Sequence, residues 1–235
     1  MTTNTNIQID EKYYWDGQLY RRTYFYNSER SKFAWSERTH HREDGPAYET
    51  YYSNGELQHS VWFLHGQIHR EDGPSIEVFR EDGTCQVRRW HINGKRHRED
   101  GPACETFYKD GALLSRTRYY RGEIHYAKGP AIETFYENGK IQSCGWYRYG
   151  KEHRLDGPAE EWFYENGDIE AYYYYVNGNL HRLDGPAVES FIESGYSAEQ
   201  EYWFKGKKNT EAEHRRLVVL HKLSGRIRHD QSVLL

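Results

Sequence analysis

Along most of the chain, short aromatic-rich runs alternate with polar turn sequences at a fixed interval. One cycle runs from His153 to Asn179. His153-Arg154-Leu155-Asp156-Gly157-Pro158-Ala159 opens it, Glu160-Glu161-Trp162-Phe163-Tyr164 follows, and Glu165-Asn166-Gly167 is a turn sequence. Asp168 through Val176 is again aromatic-rich, and Asn177-Gly178 closes the cycle. Asn-Gly and Asp-Gly between β-favouring runs are strong hairpin signals, because both central residues of a type I′ turn need positive φ. Asn54-Gly55, Asp82-Gly83, Asp110-Gly111, Asn138-Gly139 and Asn166-Gly167 mark a first turn; Asn93-Gly94 and Asn177-Gly178 mark a second. Two turns per cycle predict two strands per cycle, in an antiparallel meander.

Proline and glycine give the period. Pro46, Pro74, Pro102, Pro130, Pro158 and Pro186 are spaced by 28 residues without insertion, and each follows a glycine. A fixed period in this range signals a solenoid, propeller or array. Strands lie ~4.8 Å apart, so a two-strand unit advances ~9.6 Å and six units would span roughly 60 Å. The expected fold is all-β: an elongated, twisted, single-layer antiparallel β-hairpin array of six repeats. Within each repeat, Ala47, Ser75, Ala103, Ala131, Ala159 and Ala187 are small, and an aromatic follows four residues later (Tyr51, Phe79, Phe107, Phe135, Phe163, Phe191). That spacing puts both on one strand face. The aromatics read as core and the small residue as the place where a neighbour's ring packs. The Asp-Gly-Pro step is expected to bend or bulge a strand, since proline cannot donate to a ladder.

The ends depart from the frame, as capping units do. Residues 1–38 read as a degenerate N-terminal cap, with strand-like Tyr13-Tyr14-Trp15 and Tyr24-Phe25-Tyr26. Residues 39–206 hold the six repeats, and residues 207–235 a C-terminal helical cap and basic tail. Thr210 and Glu213 have capping-box spacing, which predicts a helix over 211–223 covering the last strand edge.

Mean hydropathy is -1.07, which alone would suggest disorder, but 22 Tyr, 9 Phe and 7 Trp can bury large areas. Net charge is -4, and Lys205–Asp230 holds eight basic and three acidic residues, so residues 1–204 carry -9. An acidic array is a poor phosphate-backbone binder, so no nucleic-acid partner is expected. Cys85, Cys104 and Cys144 form no CxxC, which fits a reducing, cytoplasmic location. No apolar run approaches a membrane span, and the N-terminus has no signal-peptide core.

The repeated His-Arg-x-Asp-Gly-Pro motif supplies the candidate ladder: His41, Arg42 and Asp44; His69, Arg70 and Asp72; His97, Arg98 and Asp100; His153, Arg154 and Asp156; His181, Arg182 and Asp184. An acid lies between the small residue and the aromatic in every repeat: Glu49, Glu77, Glu105, Glu133, Glu161 and Glu189. In the fourth copy, His125-Tyr126-Ala127-Lys128-Gly129-Pro130, arginine and aspartate are lost together while histidine stays. Joint loss predicts that Arg and Asp pair. The histidine is expected to bond the inward glutamate, which needs partners if buried. With one hairpin per period, equivalent histidines lie ~9.6 Å apart and cannot share a metal, whereas one β-helix coil per period would stack them at ~4.8 Å and make a metal or proton ladder conceivable. The hairpin reading leads, so no metal or other cofactor is expected.

Trp90-His91-Ile92-Asn93-Gly94-Lys95-Arg96-His97, and Trp146 to His153, resemble the hairpin core of MORN repeats. The resemblance covers about residues 40–208. It is nearer to the MORN-variant repeats of bacterial antitoxin-like and large-DNA-virus proteins. The resemblance implies a hairpin array used as an interaction scaffold, without catalytic residues, and a possible homodimer. A protein-binding scaffold is therefore the first functional expectation, with an acidic aromatic surface and Tyr52, Tyr108, Tyr136, Tyr164, Tyr119, Tyr147 and Tyr175 as its contact candidates. The same rings could instead pair across strands. The alternatives are a glycan- or cation-binding aromatic module, in which rings cage the ligand, and an antitoxin- or immunity-type binder of a toxin. An enzyme is not expected: each conspicuous His, Asp or Glu has equivalents in other repeats, and catalysis needs a unique constellation.

Overall fold

The first turn of each repeat is a three-residue loop. Gly55 N–H donates to Tyr52 O at 3.0 Å, and Tyr52 N–H to Glu56 O at 2.8 Å. Only the glycine is left-handed here (Gly55 φ 86°, Gly167 φ 101°); the Asn or Asp before it is not. That residue uses its side chain instead. Asn54, Asp82, Asp110 and Asn166 each accept the backbone N–H two residues on, at 2.8–3.0 Å. The turn is thus a type I turn with a glycine bulge rather than the expected type I′, and a register shift marks it in each hairpin. Type I′ geometry occurs at the second turn, where Asn93 and Gly94 have φ 49° and 75°, and Asn177 and Gly178 φ 51° and 78°.

This computed structural model describes residues 7–26 and 39–232, with side chains as far as Ser224. Parts of the expected caps, residues 1–6, 27–38 and 233–235, lie outside the described residues. The chain forms two units, Met1–Ile124 with Glu137–Gly139, and His125–Tyr136 with Lys140–Leu235. In the first, Ile7–Tyr13, Leu19–Tyr26, Tyr48–Tyr51, Leu57–Val61, Ile76–Phe79, Cys85–Arg89, Cys104–Phe107 and Leu113–Thr117 follow one another in an antiparallel sheet. In the second, the order is Ile132–Phe135, Ile141–Gly145, Glu160–Phe163, Ile169–Tyr173, Val188–Phe191, Ser197–Phe204 and Lys207–Asn209. The fold is an all-β hairpin repeat with a C-terminal helix.

Two strands per repeat is a correction as well as a finding. Each of the first five repeats has two sheet strands, but the second turn closes a separate two-stranded ladder, such as Phe63–Leu64 with Gln67–Ile68. The Asp-Gly-Pro step follows that ladder and lies between strands rather than bulging one, returning the chain to the sheet. In the sixth copy Ser197–Phe204 continues unbroken and its second hairpin joins the sheet.

The core is smaller than the sequence suggests. Ala47, Ser75, Ala103, Ala131, Ala159 and Ala187 have 0 % exposure. The aromatics expected as core, Tyr51, Phe79, Phe107, Phe135, Phe163 and Phe191, are only half-buried. An open sheet covers a ring on one side, whereas a methyl group fits wholly between backbones. Both backbone groups of Ala47 are bonded, to Val61 O at 2.9 Å and from Tyr24 N–H at 2.7 Å.

The C-terminal helix, Glu211–Ser232, runs beyond the expected end at residue 223, since no proline follows Leu223 to stop it. Thr210 N–H donates to Glu213 Oε2 at 2.8 Å, and Glu213 N–H to Thr210 Oγ1 at 3.3 Å, a reciprocal capping box. His214 and Val218 face the last strands and are buried. Among the described residues no helix is long and apolar enough to cross a membrane.

Candidate functional site

The motif builds an arginine cradle. Arg70 lies over the Trp62 ring, 4.0 Å from its centroid. Its Nε donates to Asp72 Oδ1 at 2.8 Å and its Nη1 to Pro74 O at 3.2 Å. The same set holds Arg42 on Tyr24, Arg98 on Trp90, Arg154 on Trp146 and Arg182 on Tyr174, with centroid distances of 3.9–4.4 Å. Arg and Asp therefore pair within one copy, two residues apart, at 2.7–3.0 Å in all five. The arginine beside each of Asp44, Asp72, Asp100, Asp156 and Asp184 holds its carboxyl below the ordinary range. The glycine before proline lies close under the guanidinium: a Cβ on Gly73 would sit 2.8 Å from Arg70 Cζ, and one on Gly157 2.9 Å from Arg154 Cζ, so a methyl there would displace the arginine. At the fourth motif the residue types are exchanged: Arg118, late in the third copy, stands where the others have an aromatic, and Tyr126 where they have arginine.

The histidines have a different task from the one expected. Each presents Nδ1 to a backbone N–H 24 residues on, and that residue is the left-handed one of the second turn. His41 accepts from His65, His69 from Asn93, His97 from Arg121, His125 from Tyr149, His153 from Asn177 and His181 from Lys205, at 3.1–3.4 Å. An accepting Nδ1 puts the proton on Nε2. In the first three copies Nε2 faces Glu43, Glu71 and Glu99 at 3.6–3.8 Å, not the inward glutamates. Burial lowers the His41 and His181 pKa.

The inward glutamates take arginine instead, by two routes. In the first unit Glu49 pairs in register with Arg22 and Ser60, Glu77 with Ser60 and Arg88, and Glu105 with Arg88 and Arg116. Arg88 Nε approaches Glu77 Oε1 at 3.4 Å. Glu49 Oε2 is buried without a hydrogen-bond partner, and the neighbouring Tyr51 is pushed up to about 12, by burial first and then by that carboxylate. In the second unit the register neighbours are Cys144, Tyr172 and Gln200, so the cradle arginines reach across. Arg154 Nη1 donates to Glu161 Oε1 at 2.9 Å, and Arg182 Nη1 to Glu189 Oε1. Glu133 is 6 % exposed.

The seven tyrosines expected at a contact surface are half-buried. Tyr52, Tyr136 and Tyr164 donate their hydroxyls to the carbonyls of Phe79, Phe163 and Phe191, 27 residues on, at 2.8–3.0 Å. Tyr108 occupies the same repeat position. Tyr119 accepts from Arg96 at 2.9 Å. Tyr147 donates to Glu152 and Glu160 at 3.3 and 3.4 Å, and burial with those carboxylates raises its pKa. Burial, then Glu160 and Glu152, also raises Tyr175. These rings stitch one repeat to the next.

What lies open is the row of motif loops. Between the loops of Arg42–Asp44 and His69–Asp72 is a groove of about 660 Å³ floored by Trp62 and Leu64. The next, about 910 Å³, lies between Arg70–Pro74 and His97–Asp100, floored by Trp90 and Ile92. Each presents four carboxylates against two guanidiniums, and the aspartate side chains are 80–84 % exposed. A groove of about 730 Å³ in the second unit is lined instead by Lys128, Arg148 and Arg154 against Asp156. Among the described residues no three His, Cys, Asp or Glu side chains gather to hold a metal. No family model matches the chain, and no curated protein matches it. The histidine bond was detectable as an invariant spacing of 24 residues between each motif histidine and the residue before the third glycine. The grooves carry no signal of their own, because they arise from the off-sheet ladder.

Proposed function

We propose that the chain is a non-catalytic repeat scaffold that binds a basic, extended segment of another protein along the acidic grooves of its first unit. The observation that carries this reading is the repetition of one groove chemistry in consecutive repeats: an apolar floor, a rim of exposed carboxylates and an excess of negative charge. A basic chain would gain charge-assisted contacts at each rim while its aliphatic stems cover the floor. The resemblance to MORN hairpins supports a scaffold. The histidine geometry also argues against catalysis, since each Nδ1 already serves a backbone amide. The glycan or cation reading is disfavoured because one face of each of Trp62, Trp90 and Trp146 already carries an arginine of the chain, so these rings do not close a cage around a ligand.

Titration calorimetry with a blocked lysine-rich peptide tests this. Wild type should bind with strong salt dependence. Glu71→Lys with Glu99→Lys, at side chains 84 % and 92 % exposed, should weaken binding at least about tenfold without changing the melting temperature. Equal affinity of the two proteins would sink the reading.

A further inference from the structure

The fourth repeat breaks the frame at two positions that line the same groove. Where five copies have aspartate before Gly-Pro, this one has Lys128; where the others have Leu64, Ile92, Tyr120, Val176 and Phe204, it has Arg148. The repeat does not need either change. Ala131 remains at 0 % exposure, and His125 still accepts the Tyr149 N–H at 3.4 Å. Both side chains are exposed, and neither makes an ion pair or hydrogen bond among the described residues. The groove's one carboxylate, Asp156, is held by Arg154 at 3.0 Å.

Tyr149 stands beside Lys128 and Arg148, at a turn position whose residue varies from copy to copy (His65, Asn93, Arg121, Asn177, Lys205). It occupies the left-handed turn position with φ 49°, which a bulky residue rarely adopts and which Asn93 and Asn177 fill in other copies. Its ring lies flat on His125, with centroids 4.2 Å apart and planes at 6°, and it is 52 % exposed. A flat, open ring thus stands beside two unpaired cations, in a groove of opposite charge to those of the first unit.

We infer that this groove is a second binding site, for a carboxylate-bearing segment of a partner protein that also carries an aromatic side chain. The carboxylates meet Lys128 and Arg148, and the partner's ring lies on Tyr149. A short acidic segment matches the local charge. A nucleic acid would extend a phosphate row over a body whose residues 1–204 carry -9, and is disfavoured for that reason.

The test is calorimetry on the full chain with a short, end-blocked peptide of alternating Glu and Tyr. Wild type should bind it, and the peptide with Gln for Glu should bind at least about tenfold more weakly. Lys128→Asp with Arg148→Leu installs residue types that other copies carry at these positions, so the frame should survive; it should lose affinity by a similar factor. Tyr149→Asn, the residue of two other repeats, provides an independent variant and should weaken the Tyr-containing peptide more than one with Leu in place of Tyr. Unchanged affinity in both variants, or equal binding of the Glu and Gln peptides, overturns the site. Tighter binding of a short oligothymidylate than of the peptide overturns the occupant. The Glu71→Lys, Glu99→Lys protein should bind the acidic peptide normally, so failure here and failure of the acidic-groove reading can be told apart.

Discussion

His153 accepts the backbone N–H of Asn177 through Nδ1 at 3.1 Å, and the equivalent bond recurs in every repeat. It ties the motif of each copy to that copy's own second turn, outside the sheet, and holds a non-glycine residue at φ 51°. Replacing His153 by Phe keeps a ring but removes the acceptor. The expected loss is about 1 kcal/mol, read from the denaturant midpoint. An unchanged midpoint would show that water serves the Asn177 amide equally well.

The same geometry sets a pH dependence. An imidazolium has no lone pair at Nδ1, so each bond needs neutral histidine. Burial lowers His41 and His181, and lowers His91, bonded to Ser75 Oγ at 2.9 Å, to about 4, with Arg96 and Arg89 adding to the shift. The unfolded chain, with histidines near 6.5, then binds more protons than the folded one between these values. Stability is therefore present above pH ~6.5 and lost as pH falls towards about 4. For His91 alone the ceiling is about 3 kcal/mol, at about 1.4 kcal/mol per pKa unit. Urea midpoints at mildly alkaline pH and near pH 4.5 would measure the loss; His91→Leu with Ser75→Ala should flatten the slope. A midpoint independent of pH across this window would contradict the account.

Two glycines in equivalent positions should respond differently. A Cβ at Gly157 meets Arg154 Cζ at 2.9 Å, and that guanidinium is fixed by Trp146, Asp156, Pro158 O and Glu161. At Gly129 the nearest atom is a Tyr126 ring carbon at 3.5 Å, an ordinary contact. Gly157→Ala should cost about 1–2 kcal/mol through the displaced cation–π and ion-pair contacts. Gly129→Ala should be neutral or slightly stabilising, because alanine has less freedom to lose on folding. Thermal melts of the two variants decide it, and equal shifts would refute the cradle's role.

The repeat period, the hairpins and the capping box were legible because backbone constraints leave direct marks: Gly where φ is positive, Asx where an N–H needs an acceptor, Thr and Glu at capping spacing. The turn type at Asn54-Gly55 was not, since Asn serves both a left-handed position and a side-chain cap, and only the backbone distinguishes them. Arg70 and Asp72 could be paired from their joint loss in the fourth copy. The partner of His69 could not, because a backbone amide carries no residue identity. The burial of Ala103 and the half-exposure of Phe107 also escaped the pattern. Periodicity gives the face of a strand, not how deeply that face is covered.

Glu161 offers the sharpest test of whether the charged row stabilises the fold. Its carboxylate and Arg154 are 21 % and 22 % exposed on their side chains, between a surface pair and a fully buried one. Surface pairs contribute roughly 0–1 kcal/mol, whereas breaking a buried pair costs about 3–5 kcal/mol. Arg154 keeps Asp156, Pro158 O and the Trp146 ring when Glu161 is removed, so it is not left as an orphaned charge. Glu161→Ala should therefore cost about 1–2 kcal/mol, below the buried-pair range. Glu137, exposed at a turn, is the control, and Glu137→Ala should stay within about 0.5 kcal/mol. A double-mutant cycle with Arg154→Met isolates the pair, since both residues lie in one contact. If Glu161→Ala melts like Glu137→Ala, the inward acids are not part of what holds the second unit together.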